Sequence, residues 1–173
     1  VLNRAEVRAG KPFPPQALAD FVILPGVPEA CRLLREHGFL LVVATNQPDV
    51  GRGTQSRETV EAMHALLLRE LPLDRIEVSW DAGDTPSDFR KPAPGMLLRA
   101  ATECHIDLAA SFMVGDRWRD IDCGHAAGCQ TVFIDYGYAE SLRARPVHTV
   151  STLLEAAQWI VSRPPVILAS NRV

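Results

Sequence analysis

Apolar positions recur along this chain in two alternating rhythms, one of about two residues and one of about 3.6. From Gly26, Ala30, Leu33, Leu34 and His37 fall on one face, with Pro28 near the first turn and Gly38 as a stop. That spacing predicts a helix. Phe39–Ala44 is a continuous apolar run and predicts a buried strand. A second helix is predicted from Thr54 to Leu71, with Val60, Met63, Leu67 and Leu71 along its buried face. Arg75–Trp80 is a weaker strand, Pro94–His105 a helix, Phe112–Val114 a strand, Trp118–Ala127 a helix and Thr131–Asp135 a strand. Ser151–Val161 adds a last helix. Strands that alternate with helices mark an α/β domain. Pro12–Pro15 and Pro164–Pro165 are stiff local turns, and there is no internal repeat or low-complexity tract.

Bulk properties narrow the function classes. A length of 173 residues suits one domain with a real core. A net charge of −3 and a mean hydropathy of +0.01 favour neither a nucleic-acid surface nor a membrane. Phe39–Ala44 is far too short to cross a bilayer, and no charged-then-apolar signal segment opens the chain. Cys31, Cys104, Cys123 and Cys129 are scattered without a C-x-x-C pair, which predicts reduced thiols in packing roles. His37 falls in a helix's last turn, and His64, His105, His125 and His148 read as packing or surface residues.

Three strand ends carry candidate chemistry. Thr45-Asn46-Gln47 follows the Phe39–Ala44 strand and offers a hydroxyl and two amides to phosphate oxygens, although such a tripeptide is also ordinary turn composition. Phe89-Arg90-Lys91-Pro92 places two cations on a constrained turn, where Arg can act as a fork and Lys as a point charge on a phosphoryl group. Alone, it would read as an exposed basic pair. Ser-Phe-Met-Val-Gly-Asp, residues 111–116, delivers Asp116 at a strand's carboxyl end, with Asp120 four residues on. Ligands of open parallel sheets sit at that end, and paired acids suit a hard cation such as Mg²⁺; a single helix-capping Asp is the plain alternative. In order, the three segments supply a neutral cradle, a positive clamp and a metal site, as phosphoryl transfer requires.

Thr45-Asn46-Gln47, Arg90-Lys91-Pro-Ala-Pro-Gly and Val114-Gly-Asp-Arg-Trp-Arg-Asp120 resemble the second, third and fourth motifs of the haloacid dehalogenase superfamily of phosphatases. The likeness is to its heptose-bisphosphate and histidinol-phosphate branch, from Gly10-Lys-Pro-Phe-Pro-Pro through Asp135-Tyr-Gly-Tyr. The resemblance implies a Rossmann-like three-layer α/β/α fold with a mostly parallel sheet, in one domain over residues 1–163 with a tail at 164–173. It implies that Thr45 hydrogen-bonds the transferring phosphoryl group, that Arg90 and Lys91 neutralise it, and that Asn46, Gln47 and Arg52 face substrate. Asp116 would bind Mg²⁺, with Asp120 supporting that metal site from the next turn. The expected partner is a small phosphorylated metabolite, with no nucleic acid and no membrane, for a cytoplasmic monomer.

Two departures from the family pattern matter. The family's first strand ends in D-x-D-G-V-L/I-N, whose first Asp attacks phosphorus and whose second is the general acid/base. This chain opens at Val1-Leu2-Asn3, which looks like the tail of that motif without its acids, and neither Glu6 nor Asp20 substitutes for them. The reading is a truncated start: the chain is expected to be inactive as it stands and to lack the sheet's central strand, which leaves buried edges unpaired. A non-catalytic relative that binds phosphate or a partner through the same cleft is the alternative, and Pro165-Val-Ile-Leu-Ala169 is a candidate replacement strand. A generic nucleotide-binding domain is weaker still, for neither a G-x-G-x-x-G nor a G-x-x-x-x-G-K-[ST] loop is present. The second departure lies before Arg90. Where many relatives carry a cysteine- and histidine-rich zinc site, this chain has Ser79, Asp81, Ser87 and Phe89. No zinc is expected, and the loop Asp81–Asp88 should be mobile, which leaves the choice between a sugar phosphate and histidinol phosphate open.

Overall fold

The computed structural model describes residues 1–163, so the tail segment Pro165–Ala169 lies outside the described residues. Helix α1 (Val27–Glu36) starts after Gly26 at φ 78° and carries Pro28 in its first turn. It buries Val27, Ala30, Cys31 and Leu34. Against it packs α6 (Leu153–Val161), capped by the Thr152 hydroxyl, which accepts the Glu155 N–H. Leu67 and Leu71, in and just beyond α3 (Arg57–Glu70), join the same apolar cluster. A second, smaller cluster, centred on Leu97, Cys123 and Cys129, lies under α4 (Gly95–Cys104) and α5 (Trp118–Ala127). The strands run between these two helical layers. Burial pushes the Cys31 and Cys129 thiols up to about 11 and Cys123 to about 12, so they stay protonated and inert.

Most strands start or stop within a few residues of the sequence expectation; one differs in kind. The apolar run at Phe39 becomes β3 only at Val42–Asn46, because pairing begins where Val42 meets Arg75 of β4 (Arg75–Ser79). Thr45 and Asn46 therefore belong to the strand, opposite Val78 and Ser79. Five elements lacked a legible signal. A hairpin of β1 (Glu6–Arg8) and β2 (Lys11–Phe13) turns through Ala9 and Gly10, both at positive φ. A 3-10 turn spans Leu18–Asp20, α2 is the short turn Pro48–Gly51, and β7 (His148–Val150) lies at the sheet edge.

The sheet is divided. β3 pairs in parallel with β4, and β5 (Phe112–Gly115) pairs in parallel with β6 (Gln130–Ile134), which also pairs with β7. Among the described residues, β3 and β5 have no ladder partner on their facing edges. Between them runs a cavity of about 610 Å³. Its walls are Val42–Thr45 on one side and Phe112–Val114 on the other. Leu34 and Ile160 close one helical face, and Leu97 and Ala100 the other. Strands expected to be fully buried are thus only partly buried. The slot has the shape and apolar lining of a place for one more strand.

Outside the slot, α4 is tied to β4 by charge. Glu77 is completely buried and pairs with Arg75 and Arg99, and Arg75 also reaches Glu103. The Arg99 guanidinium lies 4.3 Å from the Phe89 ring centroid. Glu77→Ala should therefore cost about 2 kcal/mol, since it strips two guanidiniums of a buried acceptor. A urea midpoint lowered at unchanged slope is the expected reading; an unmoved midpoint would show that the pair contributes nothing.

Candidate active site

The slot opens, at the carboxyl ends of β3 and β5, onto Thr45, Gln47, Lys91, Asp116 and Asp120. Thr45 is the next-to-last residue of β3, and its hydroxyl accepts a hydrogen bond from the Gln47 amide at 3.1 Å. The Gln47 N–H donates to the Ser79 carbonyl at 2.8 Å, which holds the turn after β3 against β4. Asn46 points elsewhere. Its amide donates to the Lys91 carbonyl and its oxygen accepts the Lys91 N–H, both at 3.0 Å. This two-point clamp fixes the basic segment to the tip of β3.

Lys91 is then fixed a second time. Its ammonium donates to the Ala44 carbonyl at 2.6 Å and lies 2.7 Å from Asp120 Oδ1. Two of an ammonium's three donors are thereby spent, and one is left for a ligand. The other Asp120 oxygen, Oδ2, accepts the N–H groups of Asp116 and Arg117 at 3.2 and 3.0 Å. Asp120 sits in the first turn of α5, where a carboxylate meets the helix dipole and unpaired N–H groups. Its approach depends on Gly115, since a Cβ there would overlap the Asp120 side chain.

Asp116 faces the cavity mouth. Its Oδ2 lies 3.7 Å from the Val1 ammonium, and Tyr138 stands beside it. Burial, with the Asp116 carboxylate next, pushes the Tyr138 phenol up to about 12. The hard oxygens of this carboxylate suit Mg²⁺. Among the described residues no three acids, histidines or cysteines gather into a complete cage, so a metal at Asp116 would need further oxygen donors.

The loop before Arg90 is knotted by hydrogen bonds where sequence alone suggested mobility. Asp81 Oδ2 accepts from the Ser79 hydroxyl at 3.0 Å and from the Ser87 hydroxyl. Ser87 Oγ in turn accepts the N–H groups of Phe89 and Arg90, at 3.2 and 3.1 Å. The serines and the acid at the slots discussed for zinc thus tie the loop without metal. Arg90 crosses Gly83, where a Cβ would come within 2.6 Å of its guanidinium carbon. Its Nε is buried with no partner among the described residues.

Of the residues selected from sequence, the fold brings Thr45, Gln47, Lys91, Asp116 and Asp120 to one cavity. Asn46 is joined to it through Lys91, while the N–H of Arg90, next to Lys91 in the chain, is tied to Ser87. Arg52 is exposed and lies 3.4 Å from Asp49, which lines the same cavity. Sequence reasoning assigned no role to Tyr138, which stands beside Asp116, or to Glu140 and Arg143, which meet the start of α5; all three come from the segment between β6 and β7. Arg117 Nε and Nη2 hold the two Glu140 oxygens at 2.5 and 3.0 Å, a pairing across 23 residues that no local pattern announces.

The HAD-hydrolase-like family matches residues 88–156, the stretch from the basic segment into the first turn of α6. D-glycero-D-manno-heptose-1,7-bisphosphate 7-phosphatase of Thermosynechococcus vestitus is 31% identical over 166 residues, covering 83% of this chain and 85% of that protein. The Yersinia pestis D-glycero-beta-D-manno-heptose-1,7-bisphosphate 7-phosphatase is 38% identical over 124 residues, 65% of this chain and 66% of that one. In three dimensions the fold matches the crystal structure of D,D-heptose 1,7-bisphosphate phosphatase from B. bronchiseptica, complexed with magnesium and phosphate. That match has a TM-score of 0.75 and 26% identity, and it covers 85% of this chain and 88% of that one. Ordered motifs, a shared cavity and relatives matched over most of their length agree: this chain belongs to the haloacid dehalogenase superfamily of phosphatases, enzymes that hydrolyse phosphoric monoesters.

Proposed function

We propose that the chain is the phosphate-binding body of a Mg²⁺-dependent phosphatase for sugar phosphates of the heptose 1,7-bisphosphate type. Its nucleophilic carboxylate would ride on a strand that fills the slot between β3 and β5. Residues 1–173 alone would then bind phosphate without turning it over. One observation carries the reading: Thr45, Lys91 and Asp116 share a single cavity whose walls are two strand edges that have no ladder partner among the described residues.

The chain's own groups have distinct tasks in this proposal. The Thr45 hydroxyl, next to the N–H groups of the turn after β3, donates to a non-bridging phosphoryl oxygen. The remaining N–H of Lys91 binds a second oxygen, with its position already fixed by Ala44 and Asp120. Such preorganised donors act where charge grows in the transition state. Asn46 and Asp120 are positioning residues, since their polar atoms are spent on Lys91 and on the turn after β5. Asp116 would hold Mg²⁺ together with oxygens of the incoming strand; the ion supplies charge neutralisation at the phosphoryl oxygens. The carboxylate attacks phosphorus as the bond to the leaving oxygen breaks. A second acid on the same strand protonates that oxygen, and water later releases phosphate.

Residues 1–173 should give negligible Mg²⁺-dependent hydrolysis of an aryl phosphate, and a chain preceded by an Asp-x-Asp-Gly strand should recover it. Turnover by residues 1–173 on the order of 1 s⁻¹ or faster, an ordinary enzymatic rate, would place the nucleophile elsewhere.

In the strand-completed protein, Lys91→Ala should lower kcat about a hundredfold. Asp116→Asn should raise the Mg²⁺ concentration at half-activity by about tenfold or more. Gly115→Ala, which displaces Asp120, should lower kcat and cost about 1–3 kcal/mol of stability. Steady-state kinetics and a Mg²⁺ titration read all three, and parity of any variant with its parent removes that residue from the site.

A further inference from the structure

A chain of fixed contacts leads from the buried charge on β4 to the basic segment. Glu77 is completely buried, and its Oε2 accepts hydrogen bonds from Arg99 Nε, at 2.8 Å, and from Arg99 Nη2. The Arg99 side chain is 45% exposed, and an arginine so exposed is ordinarily free to sample rotamers. Two bonds to one carboxylate remove that freedom. The guanidinium then presents a fixed plane, and its carbon lies 4.3 Å from the Phe89 ring centroid, where cation and ring attract. A buried ion pair adds little net stability over apolar packing, so what Glu77 supplies here is direction.

Phe89 stands two residues before Lys91, and its backbone is held as tightly as its ring. Its N–H and that of Arg90 donate to Ser87 Oγ at 3.2 and 3.1 Å. The Gly95 N–H donates to the Asp88 carbonyl at 3.0 Å, and a Cβ on Gly95 would overlap that carbonyl and the Phe89 backbone. The first turn of α4 thus sits directly on the residues that lead into Lys91. Beyond Lys91, the Ala93 N–H donates to the Arg90 carbonyl at 3.0 Å, and the Cys123 thiol donates to the Ala93 carbonyl at 3.3 Å. Glu77, Arg99 and Phe89 do not line the cavity, so any part they have in its chemistry is exerted through Lys91.

We propose that Phe89 and Arg99 are positioning residues for Lys91: Glu77 orients the Arg99 guanidinium, Arg99 holds the Phe89 ring, and the ring sets the approach of the Lys91 backbone to the tip of β3. This rests on the phosphatase reading for the task of Lys91, but the placement of its ammonium can be measured without turnover. Asn46, Ala44 and Asp120 hold Lys91 itself, while α4 holds the segment that delivers it. Release of the ring lets that segment shift and carries the ammonium off Ala44 and Asp120. Stabilisation of a transition state by a displaced donor falls steeply with distance.

Lys11, which is exposed, is the only other lysine, so NMR of residues 1–173 with lysine isotopically labelled at Cε gives one exposed signal and one from Lys91. In the parent the two ε protons of Lys91 should be inequivalent, since the ammonium is fixed. F89L and R99Q should each bring them towards the equivalence shown by Lys11, whereas F89Y, which keeps an aromatic face, should not. In the strand-completed protein, F89L and R99Q should each lower kcat about tenfold with the Mg²⁺ concentration at half-activity unchanged. F89L/R99Q should be no worse than either single change, as for residues that act through one contact, and F89L should cost nothing further in K91A. Urea midpoints set conditions in which every variant is folded; should F89L not fold, R99Q, at an exposed side chain, carries both readouts. Lys91 signals unmoved in F89L and R99Q overturn the positioning. So does a kcat equal to the parent's in both while K91A is impaired, or a loss that persists undiminished in K91A. If the signals move while neither K91A nor F89L changes kcat, the positioning stands and the phosphatase reading falls.

Discussion

The Asp120 carboxylate is the contact on which the site's geometry depends. One oxygen pairs with the Lys91 ammonium, and the other takes the N–H groups of Asp116 and Arg117. Both partners of the ion pair are nearly buried, with side-chain exposures of 11% and 7%. A pair of that kind gains little over an apolar replacement, but loss of either partner strands a charge. Through Lys91 the constraint reaches Asn46 and the end of β3; through Gly115 it reaches the end of β5. Three segments distant in sequence therefore meet in fixed register before any phosphate arrives.

The sheet reveals a second constraint by what holds it apart. β3 and β5 do not close on each other, although among the described residues each carries an unpaired edge at an apolar slot. Buried backbone groups without partners are costly, so another force must keep the two half-sheets separated. That force is helix packing. On one face α1 and α6 form the largest apolar cluster together with Val132 and Ile134 of the β5–β6–β7 half. On the other, α4 packs on β4 and β3, while α5 packs on β5 and β6. Closing the slot would shift these helices off the strands they cover and disrupt close-packed layers.

Much of this was legible because it is local. Trp118–Ala127 was delimited correctly as α5 because its apolar period ends at Gly128, which adopts the left-handed conformation that stops helices. The motif residues were legible as chemistry because hydroxyl, cations and acids fall at strand ends in the right order. Long-range choices were not. Where β3 begins is decided by its register with Arg75, not by the apolar run, so Phe39–Leu41 were read into the strand wrongly. The role of Asn46 as a clamp depends on Lys91, 45 residues away. The knot at Asp81 was missed for another reason. Ser79, Asp81 and Ser87 were judged by what they cannot bind, whereas a carboxylate that accepts two hydroxyls ties a loop without any metal.

Because slot and site are one cavity, fold and chemistry are coupled in a particular direction. A strand inserted between β3 and β5 would complete two ladders and bury apolar surface along Val42–Ala44 and Phe112–Val114. Its carboxyl end would arrive at Thr45 and Asp116, where the Val1 nitrogen lies 3.7 Å from the acid. Most of the free energy of insertion would come from ladder pairing and apolar burial, remote from the reacting atoms. That energy could hold an acidic side chain against Asp116, a like charge that would otherwise repel it. The proposed metal ion between them would then complete a site whose strain the sheet supports, so catalytic order would follow from completing the ladders.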